Sequence, residues 1–416
     1  MRTDQQTRTS LASALGDAEE HDLSGRYGLA ADALDALIVA ARSDKSGSPI
    51  LVAALTRRAS LYRYSGHLDS AQRLLGDAER LVEMDVSVDP AHACALEVEL
   101  GRLALETLGP DTADDHLSRA VELARSLPMA PARDIALASS LAAFGASKRV
   151  RGDYVAAGDL LQEAVRHAEA AVDADPGDRR AGMELVHALD EQGVLSKFSG
   201  GFDASEEAYG RALELLTRIA GPDHPDAATI QHNLGGLAHA RGDGVAAVTF
   251  ARRAVELHEY SLGADHVATV LDRSALAAVL DQQGATTEAE ALLHDCAERL
   301  ERTLGPSHRE LAVVLNNLAA IAQRAGRLDD AHDLYLRTAD IKVRVQGPDS
   351  PSLAITLNNL ATVQRRRGLL AEAAANYARA LAILLASAGP THPHVGVIRR
   401  NLARLGMDQP GAVSDS

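Results

Sequence analysis

The sequence predicts an all-α fold, a right-handed superhelix of stacked helix-turn-helix units, on three observations. Five short loop strings, Gly221-Pro-Asp-His224, Gly263-Ala-Asp-His266, Gly305-Pro-Ser-His308, Gly347-Pro-Asp-Ser350 and Gly389-Pro-Thr-His392, start 42 residues apart. Glycines at 242, 284, 326 and 368 keep the same interval midway between those loops. Between loop and glycine the apolar residues repeat with helical spacing, small residues alternating with large ones. A fixed period of this size marks a stacked array, in which each unit buries its apolar face against its neighbours.

Residues 222–262 set the pattern for the units. Pro222-Asp-His-Pro225 forms a loop, a helix runs to about Arg241, Gly242-Asp243 reverses the chain, and a second helix runs to about Ser261. Proline at the loop stops the preceding helix, and Asp or Ser beside it is placed to cap the next. The first helices carry Asn233-Leu234-Gly235, Asn317-Leu318-Ala319, Asn359-Leu360-Ala361 and Asn401-Leu402-Ala403, the small residue allowing close helix approach. The second helices carry small residues seven apart with a filler between them: Ser205, Tyr209, Ala212; Ala373, Tyr377, Ala380; Ala157, Leu161, Ala164. Positions i, i+4 and i+7 share one helix face.

This counting places units near 7–45, 48–86, 89–127, 130–174, 179–220, 222–262, 264–304, 306–346 and 348–388, with a capping helix at 392–405. Residues 1–178 hold about four divergent units. Residues 179–406 hold about five regular units with the cap, and 407–416 read as a polar, disordered tail. The unit at 89–127 is the least regular, because Leu108-Gly109-Pro110 replaces the usual turn.

Composition narrows the function classes. Net charge is −16, and residues 1–220 hold 23 Lys+Arg against 36 Asp+Glu, or −13. An acidic chain with no Trp and 3% aromatics disfavours nucleic acid and anionic membrane as partners. Cys94 and Cys296 form no disulfide framework and fit a reducing compartment. The polar start lacks the apolar stretch of a signal peptide, and no run of about 18 apolar residues offers a membrane span. The chain reads as cytoplasmic.

The Leu-Gly pair, followed by Ala-x3-aromatic and Ala, resembles the tetratricopeptide repeat (TPR). The 42-residue period, the Gly-Pro-x-His-Pro loop and the Asn-Asn-Leu-Ala helix resemble its kinesin-light-chain-like subgroup. Residues 179–406 carry the specific motifs, and the N-terminal part matches through Gly25, Gly66, Gly152 and its small residues.

The resemblance implies that first helices line a concave face and that the column Asn233, Asn317, Asn359 and Asn401 bonds the backbone of an extended peptide, with Asn316, Asn358 and His232 beside it. An amide both donates and accepts, which suits a peptide group of any sequence. The alternative is that the same residues bond neighbouring helices and only hold the repeat together. The column breaks at Ala275 and Glu191. Arg324, Arg365, Arg366, Arg399 and Arg400 lie near it, and Arg grips carboxylates through its planar fork, although an Arg at a helix end is also favoured by the helix dipole. His232, His239 and Gln323 complete the candidate set.

The loop histidines belong to different repeats, about 10 Å apart at helix-packing distances, too far to share a metal ion. They read as packing residues. No catalytic motif for acyl transfer, phosphate binding, zinc hydrolysis or dithiol chemistry is present, and no cofactor is implied. The primary expectation is a non-enzymatic adaptor binding an extended peptide or partner tail along residues 230–404. A peptide-sensing regulator acting on a second protein is the alternative. An enzyme with His232 and His239 in a polar site is a third. Oligomeric state is open, since Leu11, Leu15 and Leu23 serve either a cap or a dimer contact.

Overall fold

The computed structural model describes residues 2–43, 48–84, 88–388 and 393–407. The fifth loop string, 389–392, and the tail from 408 onward lie outside the described residues. Nineteen helices and no strand occur among the described residues. They form two compact units, Met1–Thr269 and Val270–Ser416. That division is spatial, and differs from the sequence division between divergent and regular repeats at 178.

Unit 1 holds six helix pairs: α1 (Arg2–Leu23) with α2 (Tyr27–Arg42), α3 (Ser48–Tyr64) with α4 (Leu68–Met84), and α5 (Pro90–Thr107) with α6 (Pro110–Ser126). They are followed by α7 (Pro131–Arg151) with α8 (Tyr154–Ala174), α9 (Arg179–Phe198) with α10 (Phe202–Ala220), and α11 (Pro225–Ala240) with α12 (Gly244–Leu262). The chain passes into unit 2 within α13 (Val267–Gln282). Unit 2 continues with α14 (Thr286–Leu304), then α15 (Arg309–Arg324) with α16 (Leu328–Gln346), α17 (Pro351–Arg366) with α18 (Leu370–Ala388), and α19 (Pro393–Met407). The nine expected pairs and the final helix are all present. The irregular third pair forms as well, with Gly109 at φ +99° turning the chain and Pro110 opening α6.

Local chemistry explains the turns. At the end of α11 the Gly242 N–H donates to the His239 carbonyl at 3.0 Å and the Asp243 N–H to the Ala238 carbonyl at 2.9 Å. This closure needs Gly242 at φ +79°, where a side chain is strained. Asp243 Oδ1 then accepts the Ala246 N–H at 2.9 Å and starts α12.

The loop histidines do more than pack. The Nδ1 atoms of His224, His266 and His308 accept the backbone N–H of Asp226, Ala268 and Glu310 at 3.1, 3.2 and 3.3 Å. These histidines, not the Asp or Ser expected from the sequence, are the side-chain caps of those first helices. Ser350, in the same loop place, makes no side-chain cap bond. An accepting Nδ1 requires a neutral ring, and burial lowers His224 and takes His266 to about 4, with His258 and His67 adding to the effect at His266.

Packing follows the small-large pattern. Tyr209, Tyr335 and Tyr377 are among the largest fully buried side chains. A Cβ on Gly193 would lie 2.4 Å from the Tyr209 ring, and one on Gly101 2.5 Å from Leu117. In unit 1 the two larger apolar clusters run from Leu11 to Leu103 and from Cys94 to Leu257, with a small one of Ile135, Ala171 and Ala181 besides, and α5 contributes to both of the larger ones. Cys94 and Cys296 are buried, as expected of core residues, and burial pushes the Cys296 thiol up to about 12.

Candidate functional site

The asparagine column sits half-buried on the first helices, and three of its four members, all but Asn359, form a ladder with a stride of 43 residues. Asn233 Nδ2 donates to Asp190 Oδ1 at 2.8 Å, Asn317 Nδ2 to Ser274 Oγ at 3.4 Å, and Asn401 Nδ2 to Asn358 Oδ1 at 2.9 Å. Each amide therefore reaches the residue one position before its own equivalent in the preceding repeat. Asn358 also donates to Asn359 at 3.3 Å. Asn316 keeps a buried Oδ1 with no hydrogen-bond partner.

Two of the cationic candidates follow the same stride. Arg324 pairs with Asp281, and Arg366 donates to the Gln323 carbonyl at 2.9 Å. Arg365 is half-buried, while Arg399, Arg400 and His239 are exposed, and His232 is half-buried beside Asn233. Among the described residues no group of three or more His, Cys, Asp or Glu is arranged to hold a metal ion.

A second set of polar groups, on the inner face of unit 1, was not singled out by sequence. Helices α1, α3, α5, α9 and α11 direct charged side chains at one another there. Arg57 reaches Glu19 at 2.7 Å and Asp22 at 3.9 Å. Arg63 bonds Glu99 at 3.2 Å and Glu106 at 2.8 Å, and Arg102 bonds Glu99 at 2.7 Å. Despite burial, these two arginines pull Glu99 down to about 2. His187 Nε2 meets Asp226 Oδ2 at 3.0 Å. Against burial, that contact lifts His187 to about 9 and holds Asp226 at about 2. The pair is an ion pair at neutral pH.

Two carboxyls in this set lack such compensation. Burial pushes Asp22 up to about 6, only partly opposed by Arg57. Burial, with Glu191 beside it, pushes Asp190 up to about 7, against the Asn233 hydrogen bond. His187 is 46% exposed yet feels the charges of Asp226, Glu184 and Arg102. By sequence alone an adjacent acidic pair such as Asp190-Glu191 reads as a solvated helix face. The one sequence signal at Asp190 is its place beside Glu191, the position where the asparagine column breaks.

The tetratricopeptide repeat family model matches residues 192–260, 227–296, 266–342, 310–386 and 352–409, together more than half of the chain. The chain belongs to the tetratricopeptide repeat family. As a TPR protein it is similar in fold to a Rap protein solved in complex with competence and sporulation factor. That likeness has a TM-score of 0.60 at 12% identity, over 96% of this chain and 99% of that one. It is also similar to the apo form of the quorum sensor NprR from B. thuringiensis, with a TM-score of 0.56 at 11% identity, over 91% and 99% of the two chains. BtubC (BKLC) from P. vanneervenii is similar at 21% identity over 62% of this chain and 94% of that one, with a TM-score of 0.45. No curated protein matches the sequence. No described helix is long and apolar enough to cross a membrane.

Proposed function

We propose that this TPR protein is a receptor for an extended peptide or partner tail, and that the inner face of unit 1 takes a basic side chain of that ligand. The observation that carries the reading is that Asp22 and Asp190, both partly exposed and both within reach of the His187–Asp226 pair, have carboxyls raised to about 6 and 7. A carboxyl raised by burial is one that a counter-charge would relieve. A ligand ammonium or guanidinium supplies that charge, and the surrounding wall makes the interaction stronger than at an open surface.

The asparagine column contributes backbone contacts in this reading. Each ladder bond uses one amide N–H, and an amide has two such donors and an acceptor. Within unit 2, Asn316, Asn317, Asn358 and Asn359 supply a peptide track of their own, with Gln323, Arg324, Arg365, Arg366 and Arg400 along its edge. The regulatory version of the reading, in which ligand occupancy changes the hold on a second protein, draws on the two similar folds of Rap and NprR.

The test is a binding screen of short extended peptides with and without Lys or Arg. Substituting Asp22→Asn and Asp190→Asn together is expected to weaken basic peptides by roughly 10- to 100-fold, in line with the usual worth of a charge-assisted contact. Asn317→Ala with Asn359→Ala tests the unit 2 track separately. Binding that ignores all four substitutions, in proteins of unchanged helicity, sinks the reading.

A further inference from the structure

Repeat arrays are held together by contacts between neighbours in sequence. Unit 1 departs from that rule. The turn between α1 and α2 lies against the start of α11, about 200 residues away. Tyr27 donates its phenol proton to Asp226 Oδ1 at 3.2 Å, and the same carboxylate meets His187 on its other oxygen. The Tyr27 ring stands edge-on to His224, with centroids 6.4 Å apart, and edge-on to Tyr64 at 5.3 Å. Tyr64 in turn meets His258 Nε2 at 3.3 Å and packs on His266 with centroids 5.3 Å apart. On the other side, Arg179 at the start of α9 donates to the Leu23 carbonyl at 3.1 Å, which satisfies the C-terminal end of α1, and pairs with Glu20 at 2.5 Å.

The fit at this junction is specific. A Cβ on Gly25 would lie 2.3 Å from Pro225 Cδ and 3.0 Å from the His224 ring, so only glycine allows the approach. The apolar share is small. Leu23 packs against the cluster that runs from Cys94 to Leu257, while the cluster of the first repeats is otherwise separate. The junction is held by hydroxyl, imidazole, carboxylate and ring contacts rather than by a shared apolar cluster, so it parts without opening either packed core.

We propose that the α1–α2 turn and the start of α11 form a releasable clasp that closes unit 1 on itself and controls access to its inner face. The closed state joins α1 and the α1–α2 turn to α9 and α11, two of the helices that carry the charged wall, and the end of α3 to His258 of α12 and to His266. Opening parts Tyr27 from Asp226, breaks the Arg179 bonds and draws the first two repeats away from α9 and α11. A ligand on the inner face then biases the clasp through any difference in its affinity for the two states. The inference goes beyond ligand chemistry, because the clasp is measurable without a ligand.

The test uses the full chain with spin labels at Arg26→Cys and Asp223→Cys, both exposed positions beside the junction. The native cysteines are buried. Double electron–electron resonance in the otherwise wild-type protein is expected to give a dominant short distance. Gly25→Ala is expected to turn that population into a minority. Gly152→Ala is the control: Gly152 also has positive φ, at +88°, but its Cβ would meet nothing within 4 Å. Both substitutions strain a turn, and only the first collides with the clasp. Tyr27→Phe, which keeps the ring and removes the hydroxyl, is expected to give an intermediate shift and guards against misfolding of Gly25→Ala. The proposal is overturned if the short distance persists equally in all variants, or if the starting protein already lacks it.

Discussion

Gly193 and Gly210 lie in consecutive helices and test how tightly the repeat is packed. A methyl on Gly193 would sit 2.4 Å from the buried Tyr209 ring, whereas one on Gly210 meets nothing within 4 Å. Gly193→Ala is expected to destabilise unit 1 by about 1–3 kcal/mol through overpacking. Gly210→Ala is expected to be neutral or stabilising by up to about 1 kcal/mol, because alanine is the better helix former. Urea unfolding of the two variants checks the contrast, and equal losses would mean that the helix approach is looser than the geometry states. The small-large logic behind this contrast was legible in the sequence, since Ser205, Tyr209 and Ala212 carry it at helical spacing. The histidine caps were not. A histidine accepts from a backbone N–H only in one tautomer and one charge state, and neither is written in a sequence; the Gly-Pro-x-His string marks the place but not the bond.

At the scale of the element, the first helices are tied to one another by the 43-residue ladder. The rungs differ in what they leave behind when cut. Asn233 donates at 2.8 Å to Asp190, a half-buried carboxyl, while Asn317 reaches only a hydroxyl at 3.4 Å. Stranding a carboxyl costs more than stranding a hydroxyl. Asn233→Ala is therefore expected to cost about 2 kcal/mol and Asn317→Ala less than about 1 kcal/mol. Denaturant titration of the single variants, followed by helicity, measures the difference, and a larger loss for Asn317→Ala would contradict it. The helix pairs themselves were readable because turn glycines and loop prolines recur at fixed positions. The column of asparagines was readable as a column. Its ladder partners were not, because a partner 43 residues back depends on the rotation between repeats, which the period alone does not specify. The inner wall of unit 1 was hidden for a stronger reason: Asp22, Arg57, Glu99, His187 and Asp226 come from five helices, and contacts between repeats so far apart leave no periodic trace.

For the molecule as a whole, net charge of −16 understates how unevenly the ionisable groups are held. Three opposed contributions set the pH dependence of unit 1. Asp22 and Asp190 have folded pKa values near 6 and 7, above the unfolded carboxyl range, so the folded state holds protons that the unfolded state has released. Their contribution to stability falls as pH rises from about 4 through those values. The His187–Asp226 pair contributes in both directions: its histidine adds to that fall and its carboxylate opposes it. The part due to His187 is complete below the unfolded value of 6.5 and is lost as pH rises through about 9, and the part due to Asp226 is lost as pH falls through about 2. His266 must stay neutral to cap its helix, and its pKa of about 4 means stability is lost as pH falls from 6.5 toward 4. Between about pH 5 and 6.5 the two raised carboxyls outweigh the single opposing limb of His266, and above 6.5 His187 adds to them, so unit 1 is expected to lose stability as pH rises from about 5. Asp190→Asn keeps an acceptor for Asn233 and removes the charge, so it should flatten the neutral limb and stabilise by on the order of 1 kcal/mol at pH 8, a figure discounted for solvent on the wall. His266→Asn keeps a capping side chain that does not titrate, and its loss of the opposing limb should steepen the fall in stability between about pH 4 and 6.5. Thermal melts of the wild type and both variants from pH 4 to 9 read these slopes directly. A basic ligand bound at Asp190 should reproduce the effect of Asp190→Asn at neutral pH and release a proton as it does so, because it supplies the charge whose absence raised the carboxyl.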